Sequence, residues 1–155
     1  MVVQAATDYT ETHEAGFKGQ IADENDATVM SGVAEGDIPV GIGVVRGTAN
    51  SRGVKVPTAG GTFRGVVVRN LHQLEDAATG ILEIQDGNEA PLLTRGTIFV
   101  ELNDTVAIDD PVFLEDVGGL FRMDATGGTA IVGATFLDAG VIGDIVRIRI
   151  PSAVA

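Results

Sequence analysis

Residues 36–69 read GDIPVGIGVVRGTANSRGVKVPTAGGTFRGVVVR, and this stretch decides the fold class. Two Val-rich apolar runs, Ile38 to Val45 and Phe63 to Val68, flank a long loop marked by Asn50–Ser51–Arg52–Gly53 and Ala59–Gly60–Gly61. Short β-branched runs bounded by such turn residues are strands. Pro39 fits the first position of a strand, where no ladder N–H is needed, and Gly65 predicts a bulge or a close backbone approach. From residue 38 to residue 72 there are five basic residues (Arg46, Arg52, Lys55, Arg64, Arg69) and no acid, in a chain of net charge -12.

The rest of the chain repeats the pattern. Gly96 to Leu102 is a strand, and Pro111 to Glu115 with Leu120 to Met123 forms a hairpin about Gly118–Gly119. Ile81 to Gln85 and Leu92 to Arg95 flank the hairpin-type dipeptide Asp86–Gly87. Gly128 to Leu137 is a strand interrupted by Gly133. Ile145 to Ile150 alternates cleanly, with Val146, Ile148 and Ile150 on one face and Arg147 and Arg149 on the other. Asn70 to Thr79 is the one helical candidate and reads equally well as a polar loop. The expectation is an all-β protein: a β-barrel or sandwich of short antiparallel strands, with an extended N-terminal arm and at most one short helix.

The first residues are polar and acidic, with Phe17 and Ile21 as isolated apolar anchors. Through residue 14 they read either as an arm or as a disordered terminus. GFKGQIAD, from Gly16, is a possible short strand, and Thr28 to Ala34 is either a strand or a helical turn. The expected division is an arm over residues 1–35 and a single β-domain over 36–155.

Composition bounds the function. A chain of 155 residues is one domain, able to bury roughly 70% of its unfolded surface. Without Cys there is no disulfide framework, thiolate metal site or thiol nucleophile. No basic, apolar leader opens the chain, and no run approaches the ~20 apolar residues of a membrane span, so neither a secretory signal nor a membrane partner is expected. The acid excess opposes binding to nucleic acid.

Candidate chemistry fails on spacing. Gly41 to Gly47 (GIGVVRG) is one residue too long for a dinucleotide fingerprint and no amphipathic helix follows it. Asp23–Glu24–Asn25–Asp26 resembles a calcium loop, but Thr28 and Ala34 stand where its turn Gly and bidentate Glu belong. A solvated acidic loop is the simpler reading, and turn formation explains Asp104, Asp109 and Asp110. His13 and His72 lie in no metal-binding spacing, and Ser31 and Ser51 in no nucleophile elbow. No catalytic residue, metal site or cofactor is expected, and the chain is not read as an enzyme. The basic stretch, set against an acidic arm, suggests opposite-sign patches meeting across a subunit interface.

The order of the pieces resembles the cement, or head-decoration, proteins of tailed bacteriophages. The resemblance rests on Phe17–Lys18–Gly19–Gln20–Ile21–Ala22–Asp23, on Ser31 with Glu35–Gly36–Asp37–Ile38–Pro39, on Gly41, Val44–Val45–Arg46–Gly47 and Phe63–Arg64–Gly65–Val66. It continues through Gly96–Thr97–Ile98–Phe99–Val100, Asp110–Pro111–Val112–Phe113, Gly133–Ala134–Thr135–Phe136 and Gly143–Asp144–Ile145–Val146, while Val40 replaces the aromatic that relatives tend to carry there. It implies a virion protein, made in the bacterial host cytoplasm, that binds the outer capsid surface and cements neighbouring major-capsid subunits against internal pressure. The implied partners are the major capsid protein and further copies of the chain, as a homo-dimer or homo-trimer. Phe17 and Ile21 are then the expected arm anchors, and Arg46, Arg52, Lys55 and Arg64 the expected contacts to an acidic partner surface. The rival is a phage surface or tail β-domain that binds host carbohydrate; one Tyr and no Trp leave it few sugar platforms.

Overall fold

The computed structural model describes residues 16–70, 74–75 and 80–152. Its strands, in chain order, are β1 Ile21–Ala34, β2 Ile38–Pro39, β3 Gly43–Arg46, β4 Gly53–Lys55, β5 Phe63–Val67 and β6 Leu74–Glu75, followed by β7 Leu82–Ile84, β8 Glu89–Glu101, β9 Pro111–Glu115, β10 Phe121–Arg122, β11 Gly128–Phe136 and β12 Ile145–Ile150. No helix occurs among the described residues.

Nine strands form one sheet in the order β1-β4-β3-β5-β8-β12-β11-β9-β10, and β1 also pairs with β8. That extra pairing closes the first half of the sheet into a ring. Val33 and Ala34 of β1 run parallel to Gly53 and Val54 of β4, while Val29 to Val33 run antiparallel to Leu93 to Glu89 of β8. The second half closes too: Leu102, just past β8, forms a parallel bridge with Phe121 of β10. The molecule is thus two small barrels side by side, with β8 a stave of both. Closure removes most free sheet edges.

The Val-rich runs are apolar on both faces because both faces are buried. Val44, Val54, Val67 and Leu92 belong to one apolar cluster, and Val45, Val66 and Leu93 to another. Neighbouring residues of one strand point to opposite faces, so β3, β5 and β8 form the wall between the two cores. The second core continues through Ile98, Val100, Leu114, Phe121, Phe136 and Ile148. A small sheet, β2-β7-β6, adds Ile38 and Ile84 to the first core.

Much of the local reading holds. The β9–β10 hairpin pairs Leu114 with Phe121, and β12 buries Val146, Ile148 and Ile150 while exposing Arg147 and Arg149. Gly65 stands at φ 155° where the β3–β5 register slips between Val44 and Val45, which is the expected bulge. Gly133, at φ 76°, lies within the slip between β11 and β9.

Other expectations are corrected. The run Ile38 to Val45 is two strands, because Gly41 takes φ 84° and turns the chain from the small sheet into the large one. Asp86–Gly87 is a turn, but its flanking strands do not pair with each other: β7 joins β2 and β6, and β8 joins β1, β5 and β12. The expected strands Leu92–Arg95 and Gly96–Leu102 are one continuous strand, β8, 13 residues long and ending at Glu101, with Gly96 at φ 123°. Within the helical candidate, Leu74–Glu75 is a strand paired with Leu82–Glu83, and its remaining positions from 71 to 79 lie outside the described residues. Of the 1–35 stretch, residues 21–34 form β1, 14 residues long and paired in the sheet. Residues 1–15 lie outside the described residues.

Candidate interaction surface

The sequence-predicted residues fall into two groups. The first surrounds the turn before β1. Gly19, at φ 83°, donates its N–H to the Phe99 carbonyl and accepts from the Arg69 N–H, tying the turn to β8 and to the end of β5. Gly41 packs onto this turn so closely that a Cβ there would lie 2.8 Å from the Lys18 carbonyl carbon. Lys18 pairs with Glu101 at 3.3 Å. Phe17 stands on this rigid base, 56% exposed, with the Arg69 guanidinium 4.6 Å from its ring centroid. Ile21 pairs with Ile98 and packs partly buried against the second core, so its apolar side chain is turned inward.

The second group lies on β3, β4, β5 and the 47–52 loop. Glu35 organises that loop. Its carboxylate accepts the N–H groups of Thr48, Ala49 and Asn50 at 2.7, 2.8 and 3.4 Å, and Gly47 and Gly53 leave the space it fills. The Thr48 N–H, with Ala49, Asn50 and the Lys55 charge behind it, holds this carboxyl below the ordinary glutamate range. Beside it, Gly36 N–H donates to Asp86 and Asp86 N–H donates to Asp37, at 2.8 and 2.9 Å. The acids of Glu35–Gly36–Asp37 therefore clamp loops together at the surface of the fold.

Arg46, Lys55 and Arg64 make no ion pair among the described residues, whereas Arg52 reaches Glu89 at 3.5 Å and the Ser31 carbonyl at 3.4 Å. The basic stretch is thus interleaved with Glu35, Asp37, Asp86 and Glu89, a mixed surface that the one-dimensional charge sum hides. Elsewhere, Arg147 grips Asp138 through Nε and Nη2 at 2.9 and 2.8 Å. The Arg147 side chain holds the Asp138 carboxyl below its usual range.

No three His, Asp or Glu side chains converge as metal ligands among the described residues. The Asp23–Asp26 cluster is a bulge of β1, with Asp23 accepting the Asn25 N–H at 3.0 Å and Asp26 paired with Arg95 at 2.8 Å. Asp104 and Asp110 accept the N–H groups of Thr105 and Ala107, the turn-forming role expected of them. His13, His72 and Tyr9 lie outside the described residues.

Sequence reasoning missed the exposed part of β1. Val29 and Met30 point to opposite faces of the strand, yet are 46% and 59% exposed. The signal was present as adjacent large apolar residues in a polar stretch, but it carries no period that assigns them to a surface.

The family comparison settles what the fold alone does not. The family described as structural cement protein (E217 gp24/Pam3 gp6) matches residues 5–151. The chain is a phage structural cement protein. Its role is structural, in association with capsid proteins, and its place is the virion. Among solved structures, the cement protein is similar to a chain of the capsid of Myoviridae phage XM1, with a TM-score of 0.72, 15% identity, and coverage of 91% of this chain and 93% of that one. At that identity the likeness is one of fold. No curated protein matches the cement protein in sequence. The family does not favour the carbohydrate-binding reading.

Proposed function

We propose that this cement protein binds the outer surface of the capsid and bridges neighbouring major-capsid subunits, resisting the pressure of the packaged genome. Membership of the structural cement family is the observation that carries this reading. The reading assigns the N-terminal stretch of the 1–35 region to the reaching arm and the paired barrels to the clamp. An arm that leaves a rigid root loses less entropy on docking than one that leaves a loose loop. The root here is the bolted turn at Gly19 and Gly41.

Phe17 is the apolar anchor, because it is exposed and its backbone is fixed. Ile21 secures the arm to the body through its packing against the second core. Arg46, Lys55 and Arg64, with Arg52 beside Glu89, meet acidic side chains of the major capsid protein. The protein is made in the bacterial host cytoplasm, acts as a homo-oligomer and contacts neither membrane nor nucleic acid. Many weak symmetry-related attachments then add to a strong one.

The test is co-sedimentation with capsids that lack the protein. Removal of residues 1–15 keeps every described strand and is expected to weaken binding strongly. Phe17→Ala is expected to weaken it about tenfold, the scale of one buried aromatic anchor. Unchanged binding by both variants would remove the arm from the mechanism, and failure of the intact protein to bind any capsid would remove the cementing role.

A further inference from the structure

β1, like β11 before its pairing with β12 at Thr135, carries a free edge among the described residues. Backbone groups alternate in direction along an antiparallel strand. Ala34 N–H donates to Asn88, and the Thr28 carbonyl accepts from Thr94 Oγ1, so the even-numbered residues face β8. Val33 N–H donates to Arg52 and Glu35 N–H donates to Val54, so the odd-numbered residues face β4. But β4 reaches only Val33 and Ala34. By the same alternation, the N–H of Ser31 and both backbone groups of Val29 point away from β8 with no strand beside them.

The window is short and bounded. On one side β4 stops it, and on the other the bulge at Asp23–Asp26 bends the strand. Between these limits Thr28, Val29, Met30 and Ser31 are exposed in succession, on both faces. An exposed apolar edge is a template for another strand, and proteins usually blunt it with charge. Here the charges sit at the two ends instead: Asp23, Glu24 and Asp26 beyond one end, and Arg52 beside Ser31 at the other.

We propose that this edge pairs with the same edge of a second copy, antiparallel about a two-fold axis at Val29. In that register Val29 exchanges both backbone hydrogen bonds with its counterpart, and the ladder ends where Ala27 enters the irregular stretch between Asp23 and Thr28. Gly32, with Arg52 next to it, then faces the bulge carboxylates of the other copy. Both ends of the window gain opposite charge, which a two-fold contact supplies twice. The bulge and β4 stop the pairing from propagating, so the product is a closed dimer. This inference rests on the homo-oligomer part of the proposed function and names its interface.

Light scattering of the full chain tests it without any capsid. The expected mass is twice the 16.0 kDa of the chain. Ser31→Pro removes an N–H that has no strand partner among the described residues, and Val29→Lys places a charge on the two-fold axis. Each is expected to give monomers with a thermal melt unchanged after correction for dimer loss. Glu24→Lys and Arg52→Glu are each expected to weaken the dimer, and the double variant to restore it. A monomer in the intact protein, or a dimer indifferent to Ser31→Pro and Val29→Lys, overturns the proposal. If the intact protein is monomeric and Ser31→Pro abolishes co-sedimentation with capsids, the edge belongs to the capsid protein: the dimer is then refuted and the cementing role stands.

Discussion

Glu35 joins three chain segments through one carboxylate. It closes β1 and satisfies N–H groups of the 47–50 loop that would otherwise need water. Because folding lowers its pKa from an ordinary value near 4.5, chiefly through the Thr48 N–H, its stabilisation is fully present above that value. It is lost as pH falls through the lower folded-state value. A Glu35→Gln variant should therefore melt below the natural protein at pH 7, and the two melting temperatures should converge as pH falls through the lowered folded-state value. Gly41 acts sterically: at φ 84°, with Lys18 and Gly19 against its Cα, it has no room for a side chain. Gly41→Ala should cost about 1–3 kcal/mol for the backbone alone, read by urea unfolding, and more if the Gly19 turn is displaced. Asp37–Ile38–Pro39 has a structural role in the fold. Its acid accepts the Asp86 N–H, so one residue of the stretch that carries the family resemblance is a loop clamp.

Elements with local partners were legible in the sequence, and elements with distant partners were not. The β9–β10 hairpin needs only the Gly118–Gly119 turn and two apolar runs, and β12 announces itself by alternation over Ile145–Ile150. β1 does neither. Its N-terminal half is wet on both faces and interrupted by the acidic bulge, so the sequence offers only two fragments, GFKGQIAD as a possible strand and Thr28 to Ala34 as a strand or a helical turn, and not one strand over Ile21–Ala34. It exists because β8 pairs with it from distant positions in the chain, from Val33 with Glu89 to Ile21 with Ile98. Asp86–Gly87 misled for a related reason. A tight turn fixes chain reversal, but which neighbour each strand takes depends on Ile38 and Ile84 sharing the first core. Of the candidate site, Phe17 was visible as an apolar residue stranded in a polar run, whereas the proposed pairing edge of β1 required knowing where β4 ends. Phe121 tests the element that closes the second barrel. It is fully buried beside the bridge to Leu102, and Phe121→Ala should destabilise by about 3–5 kcal/mol in denaturant titration.

At the scale of the molecule, the two cores have one wall in common. Val44 and Val67 face one side of β3 and β5, and Val45 and Val66 the other, so neither barrel keeps its lining if the other opens. Unfolding should thus be a single transition, with calorimetric and van't Hoff enthalpies equal, although two apolar clusters are present. A second transition would mean that β8 belongs to one barrel more than to the other. The shared strand also has a mechanical meaning. Over 13 residues, about 40 Å of extended chain, β8 is laced to β1 and β5 near one end and to β1 and β12 near the other. A pull that draws the barrels apart along this strand loads those ladders in shear, with many hydrogen bonds resisting together, whereas a pull across it peels them singly. For a part whose task is to hold a strained shell, the orientation of β8 relative to the stretching surface becomes the quantity that sets how much load each molecule carries.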